Sequence, residues 1–355
     1  MDYAVIKLMQ KAEQGDTLAQ TALAEAYLNG SGVEHNEAEA IRWWRRAADQ
    51  GFAGAQSDLG SAYATGRDVK QNGSEAVRWW RMAADQGDVL AQRNLGMAYF
   101  NGDIVRQDLS EAMKWFTLAA EQGDAAAQSQ LGTAYSRGDG VRQDYSEAVR
   151  WYRKAAEQGV AEAQHNLGNA FYNGRGVPLD YAEAVRWYEH AALQGLMQAQ
   201  CKLGDIYNEG TAVRQDFAES LKWYRMAAEQ GDADSQEIIG SYYVEGKGTL
   251  SDPSEAARWF RKAAEQGKMD AQYNLGCLYA QGRGVMPDFS EAARWWTMAA
   301  KQGDASSQFN LGLLYVNGNG VPRNIRLAAQ LWQSAAAHGY AKAASNLNML
   351  LGGMR

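Results

Sequence analysis

A glycine recurs at an unbroken interval of 36 residues, from Gly15 through Gly51, Gly87, Gly123, Gly159, Gly195, Gly231, Gly267 and Gly303 to Gly339. A tryptophan keeps the same register at Trp43, Trp79, Trp115, Trp151, Trp187, Trp223, Trp259 and Trp295. Self-similarity at a fixed period between about 20 and 50 residues marks a repeat architecture. In a solenoid each unit buries its apolar face on its neighbours, so the chain's 355 residues need not divide into separate cores.

One period, residues 88–123, reads as a helix hairpin. Asp88 is placed to cap a first helix whose apolar positions are Ala91, Leu95, Ala98 and Tyr99, and Gly102 suits its left-handed end. After a six-residue loop, Asp108 and Glu111 have the spacing of a capping box. The second helix buries Ala112, Trp115, Phe116, Ala119 and Ala120 and stops at Gly123. Gly96 and its counterparts, Gly132 and Gly168 among them, sit in mid-helix, where glycine costs roughly 1 kcal/mol against alanine. Their repetition implies close approach of the paired helix, with alanine pairs such as Ala155–Ala156 expected to face them. Pro253, directly after Asp252, is expected at a first helical position. The parse gives an all-α chain: a capping helix in residues 1–15, nine hairpins over residues 16–339 and a second capping helix in residues 340–355, as one continuous solenoid domain.

These residues resemble the Sel-1-like repeat family, a relative of the tetratricopeptide repeat. Ala163-Gln164, Leu167-Gly168, Gly174-Arg175-Gly176-Val177, Asp180 and Trp187-Tyr188 show its pattern, with Phe171 in the tyrosine place. Asp68, Ile104 and Ala212 depart from it at the second loop glycine, and Thr249 at the loop valine. The resemblance implies a right-handed superhelix whose concave face is lined by first helices, and a scaffold that binds other proteins. Bacterial members include envelope adaptors, exopolysaccharide-export scaffolds and immunity proteins that neutralise secreted effectors. Fold alone does not choose among these.

Several other signals point to structure. The fixed register of the tryptophans suits packing between helices rather than ligand stacking. Gly138-Asp139-Gly140 lacks the strand that a phosphate loop follows. The bases Arg42, Arg78, Lys114, Arg150, Arg186, Lys222, Arg258 and Arg294 each follow a glutamate by three residues, which predicts surface ion pairs. His35, His165, His190 and His338 show no metal-ligand spacing, and no nucleophile motif stands out, so neither catalysis nor a cofactor is expected. A net charge of −7 argues against nucleic acid as the main partner, and no run of 18 apolar residues could cross a membrane. Cys201 and Cys277 lie 76 residues apart, too far along a stack for a disulfide. The chain as given reads as cytoplasmic. It opens in the middle of a repeat, so a removed leader would make it periplasmic.

Variable positions on the first helix share a face at i, i+4 and i+7. They predict a partner-binding surface made of Arg93, Met97 and Phe100 in one hairpin, and His165, Asn169 and Tyr172 two hairpins later. Tyr273 and Phe309 continue it, and Asn101 and Asn173 end the same helices, placed to hold a peptide backbone. The expected ligand is a protein or peptide, and a toxic effector if the chain is an immunity protein. The alternative is a cell-envelope scaffold for polysaccharide export or glycan binding.

Overall fold

The computed structural model describes residues 2–352. Among them are twenty α-helices and no strand. In order they are α1 (Tyr3–Glu13), α2 (Thr17–Asn29), α3 (Glu37–Asp49), α4 (Ala53–Thr65), α5 (Gly73–Ala84), α6 (Val89–Asn101) and α7 (Leu109–Glu121). There follow α8 (Ala125–Arg137), α9 (Tyr145–Glu157), α10 (Ala161–Asn173), α11 (Tyr181–Leu193), α12 (Met197–Glu209), α13 (Phe217–Glu229) and α14 (Ala233–Glu245). The last are α15 (Pro253–Glu265), α16 (Met269–Gln281), α17 (Phe289–Lys301), α18 (Ala305–Asn317), α19 (Ile325–Ala337) and α20 (Ala341–Gly352). Even-numbered helices are first helices and odd-numbered ones second helices. Within unit 1 from α1 to α10, and within unit 2 from α12 to α20, each packs on the next in sequence, which is the arrangement of an all-α repeat solenoid. The chain divides between Trp187 and Tyr188 into two compact units, unit 1 before the break and unit 2 after it.

Local chemistry sets the helix ends. Asp108 Oδ1 accepts from the Glu111 N–H at 3.0 Å and starts α7. The other half of the expected capping box does not form. The Asp108 N–H donates to the Tyr99 carbonyl at 2.9 Å, and the Glu111 carboxylate pairs with Lys114 instead. The end of the first helix has taken the donor that the box would use. Pro253 opens α15 at a position whose N–H has no helical partner to lose.

The mid-helix glycines make room for a ring rather than for the alanine pair. A carbon added to Gly132 would stand 2.5 Å from Tyr152 Cδ1, and one on Gly96 2.5 Å from Phe116 Cδ1. The second helix thus lays the aromatic that follows its tryptophan flat against the first helix of its own hairpin. Phe116 is fully buried there, and close contact over a ring face yields dispersion that no side chain at the glycine position could replace. The tryptophans Trp43, Trp79, Trp115, Trp151, Trp223, Trp259 and Trp295 are buried, in the packing role expected of them.

Paired glutamines hold successive helices in register. Gln56, buried in α4, donates from Nε2 to the Ala48 carbonyl at 3.1 Å, and its Oε1 accepts from Gln86 Nε2 at 2.8 Å. This adds a second donor to a carbonyl that the Gly51 N–H already reaches at 2.9 Å, and ties α3, α4 and the end of α5 together. The motif repeats at Gln20, Gln92 and Gln128 in unit 1 and at Gln200, Gln236 and Gln272 in unit 2. On the outer side, every expected glutamate–base pair of the second helices forms. Several of these bases also lie over the neighbouring tryptophan ring, as Arg150 does over Trp151 at 5.0 Å.

Candidate functional site

In unit 1 the first helices α4, α6, α8 and α10 adjoin one another in succession. Three clefts open along this face in the same register. The cleft between α8 and α10 has a volume of about 250 Å³ and is lined by Ser136, Tyr152, Asn166, Asn169, Asn173 and Arg175, with Ala170 behind them. The cleft between α4 and α6, about 320 Å³, carries Ala64, Trp80, Asn94, Met97, Asn101 and Asp103 at the matching positions. The cleft between α2 and α4, about 250 Å³, carries Leu28, Trp44, Asp58, Ser61, Thr65 and Arg67. Each floor is the aromatic of the intervening second helix.

The clefts exist because one column of the repeat is alanine in unit 1. Ala62, Ala98 and Ala170 form their back walls, and Ala134 continues the column. In unit 2 the same column reads Ile206, Tyr242, Leu278 and Leu314, all buried. There Tyr242 spans from α14 to α12, donating from its hydroxyl to Asn208 Oδ1 at 2.6 Å. Large side chains occupy in unit 2 the volume that alanine leaves open in unit 1.

The residues singled out from sequence fall into three groups. Met97 and Asn169, with the helix-end Asn101 and Asn173, line clefts. The Asn173 side-chain amide also donates to the Asn169 carbonyl at 2.7 Å. The position at the start of the stripe reaches forward instead, towards the next first helix. Arg93 pairs with Asp124, the cap of α8, at 2.9 Å. Phe309 packs on Tyr340 with ring centroids 5.0 Å apart and stacks on Trp332 at 6.2 Å. His165 and Tyr273 hold the same position and are half-buried. Burial, with Cys277 close by, pushes the Tyr273 phenol up to about 12. The position at the end of the stripe packs back on its own hairpin, Phe100 against Phe116 at 6.2 Å and Tyr172 edge-on to Tyr181 at 5.3 Å.

The column that sequence reasoning missed is Asp58, Asn94 and Asn166, one residue beyond the position of Arg93 and His165. Stepping i, i+4, i+7 from the residue two before the core leucine meets the cleft only at its middle position, whereas i, i+3, i+7 from Asn166 follows the cleft throughout. A column running Asp, Asn, Gln, Asn directly before the constant leucine was the available signal.

The clefts differ in charge. Burial, with Glu25 and Asp88 nearby, raises Asp58 from the usual aspartate value to about 6. Among the described residues no donor or cation pairs with its carboxylate. In the α8/α10 cleft the one charged side chain is Arg175, whose guanidinium lies over the Tyr145 ring at 5.7 Å. Burial raises the Tyr152 phenol, so it remains neutral, and its hydroxyl donates a hydrogen bond to Thr133 Oγ1 at 3.3 Å. Among the described residues no group of His, Cys, Asp and Glu could hold a metal, and no helix is long and apolar enough to cross a membrane.

No curated protein matches the sequence. Among solved structures, a protective antigen present in uropathogenic Escherichia coli strains, displaying an SLR fold, matches with 36% identity and a TM-score of 0.80, over 98% of this chain and 82% of that one. A Sel1 repeat protein from Oxalobacter formigenes matches with 36% identity and a TM-score of 0.68, over 87% of this chain and 90% of the other. An immunity protein from Pseudomonas aeruginosa matches at 21% identity over 61% of this chain and 81% of that one, with a TM-score of 0.33, which carries no argument about this chain. The description Sel1 repeat fits nine stretches, 17–52, 53–88, 89–124, 125–160, 161–196, 198–232, 233–268, 270–304 and 305–340. With the ring-on-glycine hairpin and the glutamine clasp written into nearly every one of them, the chain belongs to the Sel1 repeat family.

Proposed function

We propose that this chain is a non-catalytic scaffold that holds a protein or peptide partner in the first-helix clefts of unit 1. Sel1 repeat proteins are generally protein-interaction scaffolds, and typically without catalysis. The observation that carries the reading to a place on this chain is the alanine column. It leaves clefts lined by asparagine, serine and arginine where the same fold elsewhere supplies Ile, Tyr or Leu. Asparagine amides offer both donors and acceptors, which suits a polypeptide backbone. An effector-blocking protein and an envelope scaffold are both forms that such a binder takes, and the identity of the captured partner distinguishes them.

The test fills a cleft instead of removing its side chains. Ala170→Leu places in unit 1 the residue that unit 2 carries at Leu278 and Leu314. It should abolish affinity capture of the partner from the native cell, read by mass spectrometry, while the melting temperature moves by no more than about 4 °C. An unchanged set of captured proteins with a folded variant would overturn the placement.

A further inference from the structure

The charge on the unit 1 clefts changes sign along the row. The α2/α4 cleft is lined by Asp58 and Glu25 together with Trp44, and although Arg67 also lines it, Arg67 pairs with neither carboxylate among the described residues. The α8/α10 cleft presents only Arg175, for which no carboxylate partner exists among the described residues. A half-buried carboxylate with no partner costs the fold, and local rules broken in this way concentrate where a chain meets a ligand. Trp44 adds an aromatic face of the kind that attracts a cation. The two clefts lie three hairpins apart, and packed helices are spaced about 8–10 Å, so the separation is on the order of 25–30 Å. Extended chain advances at most about 3.3–3.6 Å per residue.

Resting on the scaffold reading above, we propose that unit 1 takes its partner as an extended polypeptide laid across the first helices, with a lysine or arginine in the α2/α4 cleft and an aspartate or glutamate about eight or nine residues away in the α8/α10 cleft. Between them the α4/α6 cleft, with Asn94 and Asn101, meets backbone amides. The dipole fixes which way the segment runs and rejects segments of uniform charge, since a like charge in either cleft would be desolvated without a partner.

The experiment uses random twelve-residue peptides displayed on phage, selected in parallel on the whole chain, on Asp58→Asn and on Arg175→Ala. The whole chain should enrich peptides carrying a base and an acid at that spacing. Asp58→Asn should lose the preference for the base alone, and Arg175→Ala the preference for the acid alone. A resynthesised winner should bind each variant about tenfold more weakly. Enriched peptides lacking the charge pair, or keeping it equally on both variants, would overturn the dipolar register and leave the scaffold standing. No enrichment, alongside capture of a folded protein or a glycan that Ala170→Leu abolishes, would overturn the extended segment alone. No enrichment, with capture insensitive to Ala170→Leu, would overturn both.

Discussion

Single residues decide where the repeat is satisfied and where it is not. Gln308 continues the glutamine series and donates to the Ala300 carbonyl at 3.2 Å, yet among the described residues its buried Oε1 has no donor. The residue one repeat beyond Gln302 is His338, whose Nδ1 faces the Ser334 carbonyl at 2.9 Å instead. A buried acceptor left open costs about 1–3 kcal/mol, so His338→Gln should stabilise by about 1 kcal/mol, read by denaturant unfolding. Should stability stay the same, Gln308 is satisfied in solution. Asp58 makes the opposite kind of exception. Its folded value, about 6, lies above the 3.8 of a free aspartate, so the folded chain holds this proton more tightly than the unfolded one. Stability is therefore fully present below the lower value and is lost as pH rises through the upper one. Asp58→Asn should raise stability at about pH 8 by on the order of 2 kcal/mol and change it little at about pH 4. An equal gain at both pH values would mean that the carboxyl's ionisation is not what strains this position.

Between elements, the loop glycines report how one hairpin meets the previous one. A carbon on Gly140 would stand 2.6 Å from the Leu109 carbonyl oxygen, at the start of the preceding second helix. Where the loop glycine is replaced by Ile104, the start of the preceding second helix is itself a glycine, Gly73, whose added carbon would stand 2.1 Å from the Ile104 carbonyl oxygen. At both of these junctions one side lacks a side chain, and the two sides exchange that role. Asp68, the other departure in unit 1, keeps the left-handed backbone with φ 47°. Gly73→Leu should therefore destabilise by about 1–3 kcal/mol, and adding Ile104→Gly should restore most of it in a double-mutant cycle. Additive losses would show that the two positions do not trade. This exchange was visible in sequence only as two unrelated anomalies, because the partner of a loop residue lies 31 positions earlier and no period points to it.

Across each unit, what the sequence disclosed depended on whether a property repeats. Hairpin boundaries, ring packing and outer ion pairs recur every 36 residues, so even one chain reveals them. The clefts follow from a column that stays apolar throughout, alanine in one unit and Ile, Tyr or Leu in the other. Hydrophobic pattern reads both as core, and only side-chain volume against a neighbouring helix separates a filled seam from an open one. The same nearest-neighbour construction limits how far damage spreads. In unit 2, a carbon on Gly240 would stand 2.6 Å from Phe260 Cδ1, so Gly240→Leu should prise α14 from α15. In a stack whose stability is a sum of local and nearest-neighbour terms, loss stays near its origin. Amide hydrogen exchange should then show faster exchange in α14 and α15 and in the adjoining α13 and α16, with α18 and α19 of the same unit still protected. Simultaneous loss of protection in all six helices would mean that unit 2 folds as one cooperative core, and the repeat would describe its sequence but not its energetics.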